Sequence, residues 1–326
     1  MTDYGCSPEL VAPVVGLGRI RFRRWWIAVA GLAIRLQART FGAPAGVAIR
    51  RVRFPGYRGE PLPAYIVEPE GLEGPAPCIL YFHGGAFIFP VQAMMLRHAA
   101  RYARELGARV IVPEYRLAPR HPFPVPVEDC YAALAWAARE SSNLDLDPKR
   151  FLVLGESAGG CIAAAVALMA RDRNGPPLLF QMLLYPVTDG SQQGESLRTY
   201  PDGLWSTEAN RQMWRLYLRE GDIGEHAYAS PLAAEDLHGL PPAYVEVAEY
   251  DCLRSEGLAY ADRLAASGCT VTTEIVRGAF HGYDLQHRSP LVKRMLARRC
   301  AALRPALARA PDVPEARDPA PRGTPS

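Results

Sequence analysis

The chain has 326 residues, 49% of them hydrophobic, which is enough for a large core and fits either two domains or one large α/β domain. A net charge of +3, spread along the chain, is too weak a basic bias to indicate a nucleic-acid partner. Seven scattered cysteines (Cys6, Cys78, Cys130, Cys161, Cys252, Cys269, Cys300) show no C-x-x-C spacing, which speaks against a zinc site and for free thiols in a reducing, cytoplasmic compartment.

The first residues are polar, and no cleavable signal peptide is expected. Residues 1–45 precede any strand pattern and read as mostly helical, with Trp25, Trp26, Ile27, Leu32 and Leu36 as apolar content. The apolar run Trp25 to Ile34 is about half the roughly twenty residues a membrane span needs, so no transmembrane span is expected. It suits either docking on a membrane surface or packing over a site; Arg35 and Arg39 at helical spacing favour packing. Val47 to Phe54 and Leu62 to Val67 read as an antiparallel strand pair. Cys78 to Phe82 is a continuous apolar run, the mark of a strand buried on both faces, and leads into His83-Gly84-Gly85-Ala86-Phe87.

Met94 to Leu106 reads as a helix, Ala108 to Pro113 as a buried strand, and Val127 to Arg139 as a helix entered through Pro122, Pro124 and Pro126. Phe151 to Leu154 reads as a strand and Cys161 to Ala170 as a helix, with Gly155-Glu156-Ser157-Ala158-Gly159-Gly160 between them. A strand at Leu178 to Tyr185 follows, and residues 188–232, with a helix at Thr207 to Leu218, then break the rhythm and suggest a lid. The rest alternates again: strand Ala243 to Ala248, helix Arg254 to Ala266, strand Val271 to Val276, helix Leu291 to Leu307. The Pro- and Arg-rich tail 310–326 is expected to be disordered. The alternation predicts a mainly parallel sheet, with reactive groups at the carboxyl ends of its strands.

Gly155-x-Ser157-x-Gly159 between a strand and a helix is the pattern of a nucleophile elbow. Side chains two positions either side of the serine would collide with the neighbouring strand and helix, so those positions need glycine. A serine hydroxyl needs a base, and the base needs a group that holds its tautomer. His281, after the last strand and in a compact Gly278…Gly282 loop, is the best base. Asp251 is the best orienting acid; Glu249 is a rival two residues earlier that extended geometry would place on the same side. The order Ser, Asp, His along the chain is that of α/β-hydrolases. His83-Gly84-Gly85-Ala86 resembles an oxyanion-hole loop, with Gly84, Gly85 and Ala158 as candidate N–H donors, Ala86 as a further one, and His83 as the loop's anchor. Activity is expected to fall in acid as the imidazole base protonates.

Together these residues resemble the hormone-sensitive-lipase-like (bacterial family IV) carboxylesterases. The matching stretches are His83 to Phe87, Tyr115-Arg116-Leu117-Ala118-Pro119 with His121-Pro122-Phe123-Pro124, Gly155 to Gly160, Ser230-Pro231-Leu232, Asp251-x-Leu253-Arg254-x-Glu256-Gly257, and His281-Gly282-Tyr283. The resemblance implies an α/β-hydrolase fold with an eight-stranded, mainly parallel sheet. It implies a helical cap made of residues 1–45 and the insertion at about 188–232 on a catalytic domain of residues 46–309. It also implies a Ser157, His281, Asp251 triad, hydrolysis of short to medium acyl esters, no metal or cofactor, a small-molecule ester as partner, and a homodimer as a common assembly. Ala86, Glu156, Arg120, Glu114 and Cys252 depart from the family's usual residues; Ala86 keeps its N–H, so pocket shape is the property expected to change. Plant dehydratases and cyclases and the gibberellin receptor resemble the same family; intact Ser157 and His281 favour hydrolysis, while transfer of the acyl group to another acceptor stays open. Trp25, Trp26, Phe87, Trp205 and Trp214 are candidates to line an apolar pocket, with cap core as the favoured alternative for most of them.

Overall fold

From Cys78 onward, strand-forming and helix-forming stretches alternate, and the chain builds its layers from that alternation. The computed structural model describes residues 4–10, 21–218 and 226–308; the expected tail at 310–326 lies outside them. Helix α1 (Arg24–Arg39) precedes the hairpin of β1 (Val47–Pro55) and β2 (Pro61–Pro69). Then come β3 (Ala76–Phe82), α2 (Ala93–Leu106), β4 (Arg109–Pro113), α3 (Val125–Arg139), β5 (Leu146–Glu156) and α4 (Ala158–Asp172). After β6 (Gln181–Leu184), an insertion carries α5 (Ser196–Thr199), α6 (Thr207–Leu218) and α7 (His226–Ala229). β7 (Ala243–Tyr250), α8 (Arg254–Ala266), β8 (Val271–Phe280) and α9 (Pro290–Ala308) follow.

The strands form one eight-stranded sheet in the order β1-β2-β4-β3-β5-β6-β7-β8. β2 pairs antiparallel with β1 and β4, and every other pair is parallel, so the mainly parallel α/β-hydrolase sheet expected from the sequence is present. The chain reverses its direction of travel across the sheet at β3, which lies between β4 and β5. The loops after β3 and β5 therefore diverge and leave a crevice at the strand ends. Register places the loops precisely enough to matter for chemistry: Phe82 pairs with Gly155, and Tyr250 with Phe280. The His83 loop thus lies beside the Ser157 turn, and Asp251 beside His281.

Even the continuous apolar strands divide by period two between two cores. Cys78, Leu80, Phe82, Phe151 and Val153 face a core shared with α3, α4 and α8. Ile79, Tyr81, Leu152 and Leu154 face a core shared with α2 and α9. Helix α4 is buried from Ala158 to Ala170, and its alanines let it seat closely on the sheet.

Several boundaries differ from the sequence reading, among them those of α3, β5 and β6. Helix α3 starts at Val125, with Pro126 in its first turn, where a missing N–H breaks no bond. β5 extends back to polar residues at Asp147 to Arg150. β6 ends at Leu184 because Tyr185 turns to a positive φ of 36°. The two segments outside the βα rhythm meet: the backbone N–H of Phe22 donates to Gln212 Oε1 of α6 at 2.9 Å. Helix α1 packs only one side. Ile27 and Ala38 are buried, whereas Trp25, Val29, Leu32 and Leu36 are exposed.

Candidate active site

Ser157 sits at the tip of the turn between β5 and α4, with φ 55° and ψ −120°. A residue held there is strained, and the surrounding backbone supports it: the Ser157 N–H donates to Leu184 O at 2.9 Å. The flanking glycines are steric necessities. A Cβ on Gly155 would stand 1.9 Å from Gly159 O, and one on Gly159 would stand 2.0 Å from Phe82 O.

Ser157 Oγ lies 2.9 Å from His281 Nε2, and His281 Nδ1 lies 2.7 Å from Asp251 Oδ2. Asp251 is buried and its other oxygen accepts the Leu253 N–H at 2.9 Å, which fixes the carboxylate plane. The rival Glu249 goes elsewhere. β7 ends at Tyr250 and the chain turns, so Glu249 accepts from the Gly278 N–H at 2.8 Å and from Arg277 at 2.9 Å. The Gly278 bond and the nearby Arg277 hold its carboxyl below the usual glutamate range.

The loop after β3 takes positive φ at Gly85 (113°), Ala86 (57°) and Phe87 (59°). Only glycine adopts the first readily, and a Cβ there would meet Phe89 O at 2.8 Å. Gly84, Gly85 and Ala86 border the same cleft as Ser157, and Ala158 begins α4 next to it. Gly84 packs against the Ser157 turn: a Cβ on it would stand 3.0 Å from Glu156 O and 3.5 Å from Ser157 Cβ. His83 is an anchor, as expected. Its ring stacks on Tyr115 at 4.2 Å, its carbonyl accepts the Tyr115 hydroxyl at 2.8 Å, and burial lowers its pKa to about 4.

Beneath the elbow lies a buried polar network that the sequence did not reveal. Glu156 accepts from Tyr81 OH at 2.9 Å. Burial, and then the negative charge of Asp284, raise its pKa to about 8, so it is largely protonated at neutral pH. His98, 4.0 Å away, is pushed down to about 4 by burial. Asp284 accepts from Tyr185 OH at 2.6 Å and from Arg299 at 2.8 Å. Arg299 also forks onto Glu246 at 2.9 and 2.5 Å. Burial would raise Asp284, but Arg299 outweighs it and holds the carboxyl below its usual value. His98, Glu156 and Asp284 are close enough to share an ion, yet Arg299 already supplies the positive charge that Asp284 faces.

The remaining motif residues bind the insertion and the loops to the sheet. Ser230 Oγ accepts from the Gly190 N–H at 2.8 Å and donates to Thr188 O at 3.2 Å, joining the two ends of the insertion. Glu256 accepts from the Thr188 N–H at 2.7 Å. Arg116 forks onto Asp129 at 2.7 and 2.9 Å.

A cleft opens over Ser157 and His281. Its apolar walls are Phe89, Met95, Tyr185, Leu204, Trp205 and Leu285. Among the five aromatics considered from sequence, Trp205 lines the cleft and lies 6.0 Å from the His281 ring. Phe87 stacks on Tyr217 of α6 at 3.8 Å, and Trp214 is buried near it. Trp26 packs on Phe89 at 5.6 Å, and Trp25 faces solvent. Tyr185, whose ring meets His281 edge-on at 5.0 Å, was not singled out; an aromatic at the carboxyl end of a parallel strand was the available signal.

The α/β-hydrolase-fold family profile matches residues 79–285. The chain is 41% identical over 212 residues to "Esterase LipI" of Mycobacterium tuberculosis, a stretch covering 64% of this chain and 66% of that protein. It is 35% identical over 235 residues to "Carboxylesterase NlhH" of the same species, covering 70% and 73%. The solved structure of "Bacterial Heroin Esterase" superposes with a TM-score of 0.84 at 35% identity, over 93% of this chain and 98% of that one. With this sheet, this elbow and these relatives, the chain belongs to the hormone-sensitive-lipase-like carboxylesterases of the α/β-hydrolase fold.

Proposed function

We propose that Ser157, His281 and Asp251 act as nucleophile, base and orienting acid in the hydrolysis of short to medium acyl esters. The observation that carries this reading is the 2.9 and 2.7 Å relay from Ser157 Oγ through His281 to Asp251, at the floor of an apolar cleft. Asp251 accepts from Nδ1–H and leaves Nε2 free to take the serine proton as Oγ attacks the ester carbonyl. His281 then protonates the leaving alcohol, and water repeats the sequence on the acyl-enzyme.

For the oxyanion we assign the N–H groups of Gly84, Gly85 and Ala158, with Ala86 as a further donor. Losing one such donor costs about 2.7–4 kcal/mol of barrier. Met95 and Leu285 border the cleft and limit the acyl group it takes. Residues 1–45 and about 188–232, of which 1–3, 11–20 and 219–225 lie outside the described residues, serve as the cap, joined through Phe22 and Gln212.

The seven cysteines form no disulfide among the described residues and five are buried, which supports a reducing compartment such as the cytoplasm; cell fractionation tests this. The homodimer suggested by the family is tested by sedimentation velocity.

The deciding experiment is turnover of p-nitrophenyl esters from acetate to dodecanoate by wild type and Ser157→Ala. Activity that peaks at short to medium chains and disappears with Ser157 is expected. Folded wild type that turns over no ester, or Ser157→Ala that retains full activity, overturns the reading.

A further inference from the structure

Helix α1 has two different faces. Ile27 and Ala38 are buried, with Ala30 and Ile34 packed beside them on the same side. On the opposite side Trp25 (64%), Val29 (63%), Leu32 (61%) and Leu36 (53%) are exposed to solvent. At positions i, i+4, i+7 and i+11 these four form one stripe about 60° wide on a helical wheel. They are four of the six large apolar side chains exposed among the described residues, so the patch is a local feature and not general surface composition. Arg24, Arg35 and Arg39 run along one border of the stripe and are exposed.

The surrounding charge is one-sided. Between Glu9 and Glu60 the chain has ten arginines and no acidic residue. Among the described residues, the ion pairs of this segment are Arg50 with Glu68 and Arg51 with Glu114, both on β1. Arg21, Arg23, Arg24, Arg35 and Arg39 are exposed and pair with no carboxylate among the described residues.

We propose that the outer face of α1 docks on the surface of an anionic phospholipid bilayer. The apolar stripe enters the headgroup boundary while the bordering arginines meet lipid phosphates, their stems lying along the same surface. No helix among the described residues is long and apolar enough to cross a membrane, so α1 lies on the bilayer. A second copy is the poorer occupant: pairing α1 with α1 would set unneutralised arginines against one another. Four side chains also expose less than the ~800 Å² per partner that stable interfaces bury.

Docking would also bring lipid near the chemistry. The inner side of the segment places Phe22 against Trp205 at 6.0 Å and Trp26 against Phe89 at 5.6 Å. Phe89 and Trp205 line the cleft over Ser157, so the lipid-facing stripe stands one aromatic layer from it.

The test is co-sedimentation of the full chain with vesicles of phosphatidylcholine alone and of phosphatidylcholine mixed with phosphatidylglycerol, at low and high salt. Wild type should bind the mixed vesicles, less so at high salt, and bind neutral vesicles weakly. The triple variants Val29→Ser/Leu32→Ser/Leu36→Ser and Arg24→Gln/Arg35→Gln/Arg39→Gln should each lower the partition coefficient at least about tenfold. Both should keep wild-type circular dichroism and wild-type turnover of a soluble ester, which shows that folding and the site are intact. Absence of wild-type binding, or binding unchanged in the folded apolar variant, overturns the proposal. So does a wild-type dimer that binds no vesicles and becomes monomeric in that variant, because a second copy would then be the occupant.

Discussion

Replacing Arg299 with Met removes the guanidinium that bonds both Glu246 and Asp284 in the interior. The three side chains are essentially inaccessible, at 0%, 0% and 2% exposure. Arg299 loses one bond to Asp284 at 2.8 Å and a fork onto Glu246 at 2.9 and 2.5 Å. Two carboxylates are left without a cation, and removing one partner of a buried pair costs about 3–5 kcal/mol. The tyrosines set the limits of the loss: Tyr283 and Tyr244 still donate to Glu246, and Tyr185 to Asp284. Those bonds stabilise the charged forms only partly, so in the variant the carboxyls take up protons instead.

The pH dependence follows from the sign. In wild type Asp284 is held below its unfolded value, so the stability it contributes is present above that value and is lost as pH falls through the folded pKa. In the variant the orphaned carboxyls are raised, so their penalty is largest at high pH. The stability gap should therefore narrow from pH 8 to pH 5. Guanidinium unfolding followed by tryptophan fluorescence at both pH values measures it. Tyr283 and Asp284 follow His281 by two and three residues, so kcat should also fall by about tenfold to hundredfold as the base loses its exact placement. Neutralising the partners in Glu246→Gln/Asp284→Asn/Arg299→Met should recover much of the stability. A gap below about 1 kcal/mol at pH 8, or one that does not change with pH, refutes the argument.

Asp251→Asn should lower kcat by about 10⁴-fold by fixing the wrong imidazole tautomer, whereas Glu249→Gln should cost less than about tenfold; steady-state kinetics showing equal losses would reverse the assignment. Glu156 is raised from an unfolded value near 4.5 to about 8, so its stability contribution is present below the unfolded value and lost as pH rises through about 8. Glu156→Gln should therefore flatten the decline of stability between pH 5 and 9, seen as the difference between two denaturation series; this separates it from His98, whose lowered pKa acts in the opposite direction. Gly159→Ala places a Cβ 2.0 Å from a backbone oxygen and should cost more than about 3 kcal/mol, read from the unfolding midpoint; a fully stable variant would show that the elbow can relax.

The features legible in the sequence were those dictated by a residue's own backbone or by its immediate neighbours. Cys78 to Phe82 read as a strand because both its faces are buried, and Arg254 to Ala266 read as a helix with the observed bounds. Gly155 and Gly159 announced the elbow because no other residue fits beside Ser157. Where two readings differed by partner choice, local pattern was insufficient. Asp251 and Glu249 lie two residues apart, and the turn after Tyr250 separates them. β5 reaches back to Leu146 through polar residues because Ala76 of β3 pairs there, which composition does not show.

Arg299 shows that some of this hidden information was nevertheless present. Helix α9 buries Leu296, Cys300, Leu303 and Leu307, and Arg299 lies on that same face. Its neighbours Arg294 and Arg298 are exposed, with surface partners in Glu9 and Glu274. An arginine in phase with an apolar stripe must bring its counter-charges into the interior or leave the helix undocked. The position alone therefore implied buried acids. The candidates nearest the site were Asp284, three residues beyond His281, and Glu246 in the strand that ends before Asp251. The periodicity of α9 thus pointed to the network beside the His281 loop, and what it lacked was the sheet order that brings β7, that loop and α9 together.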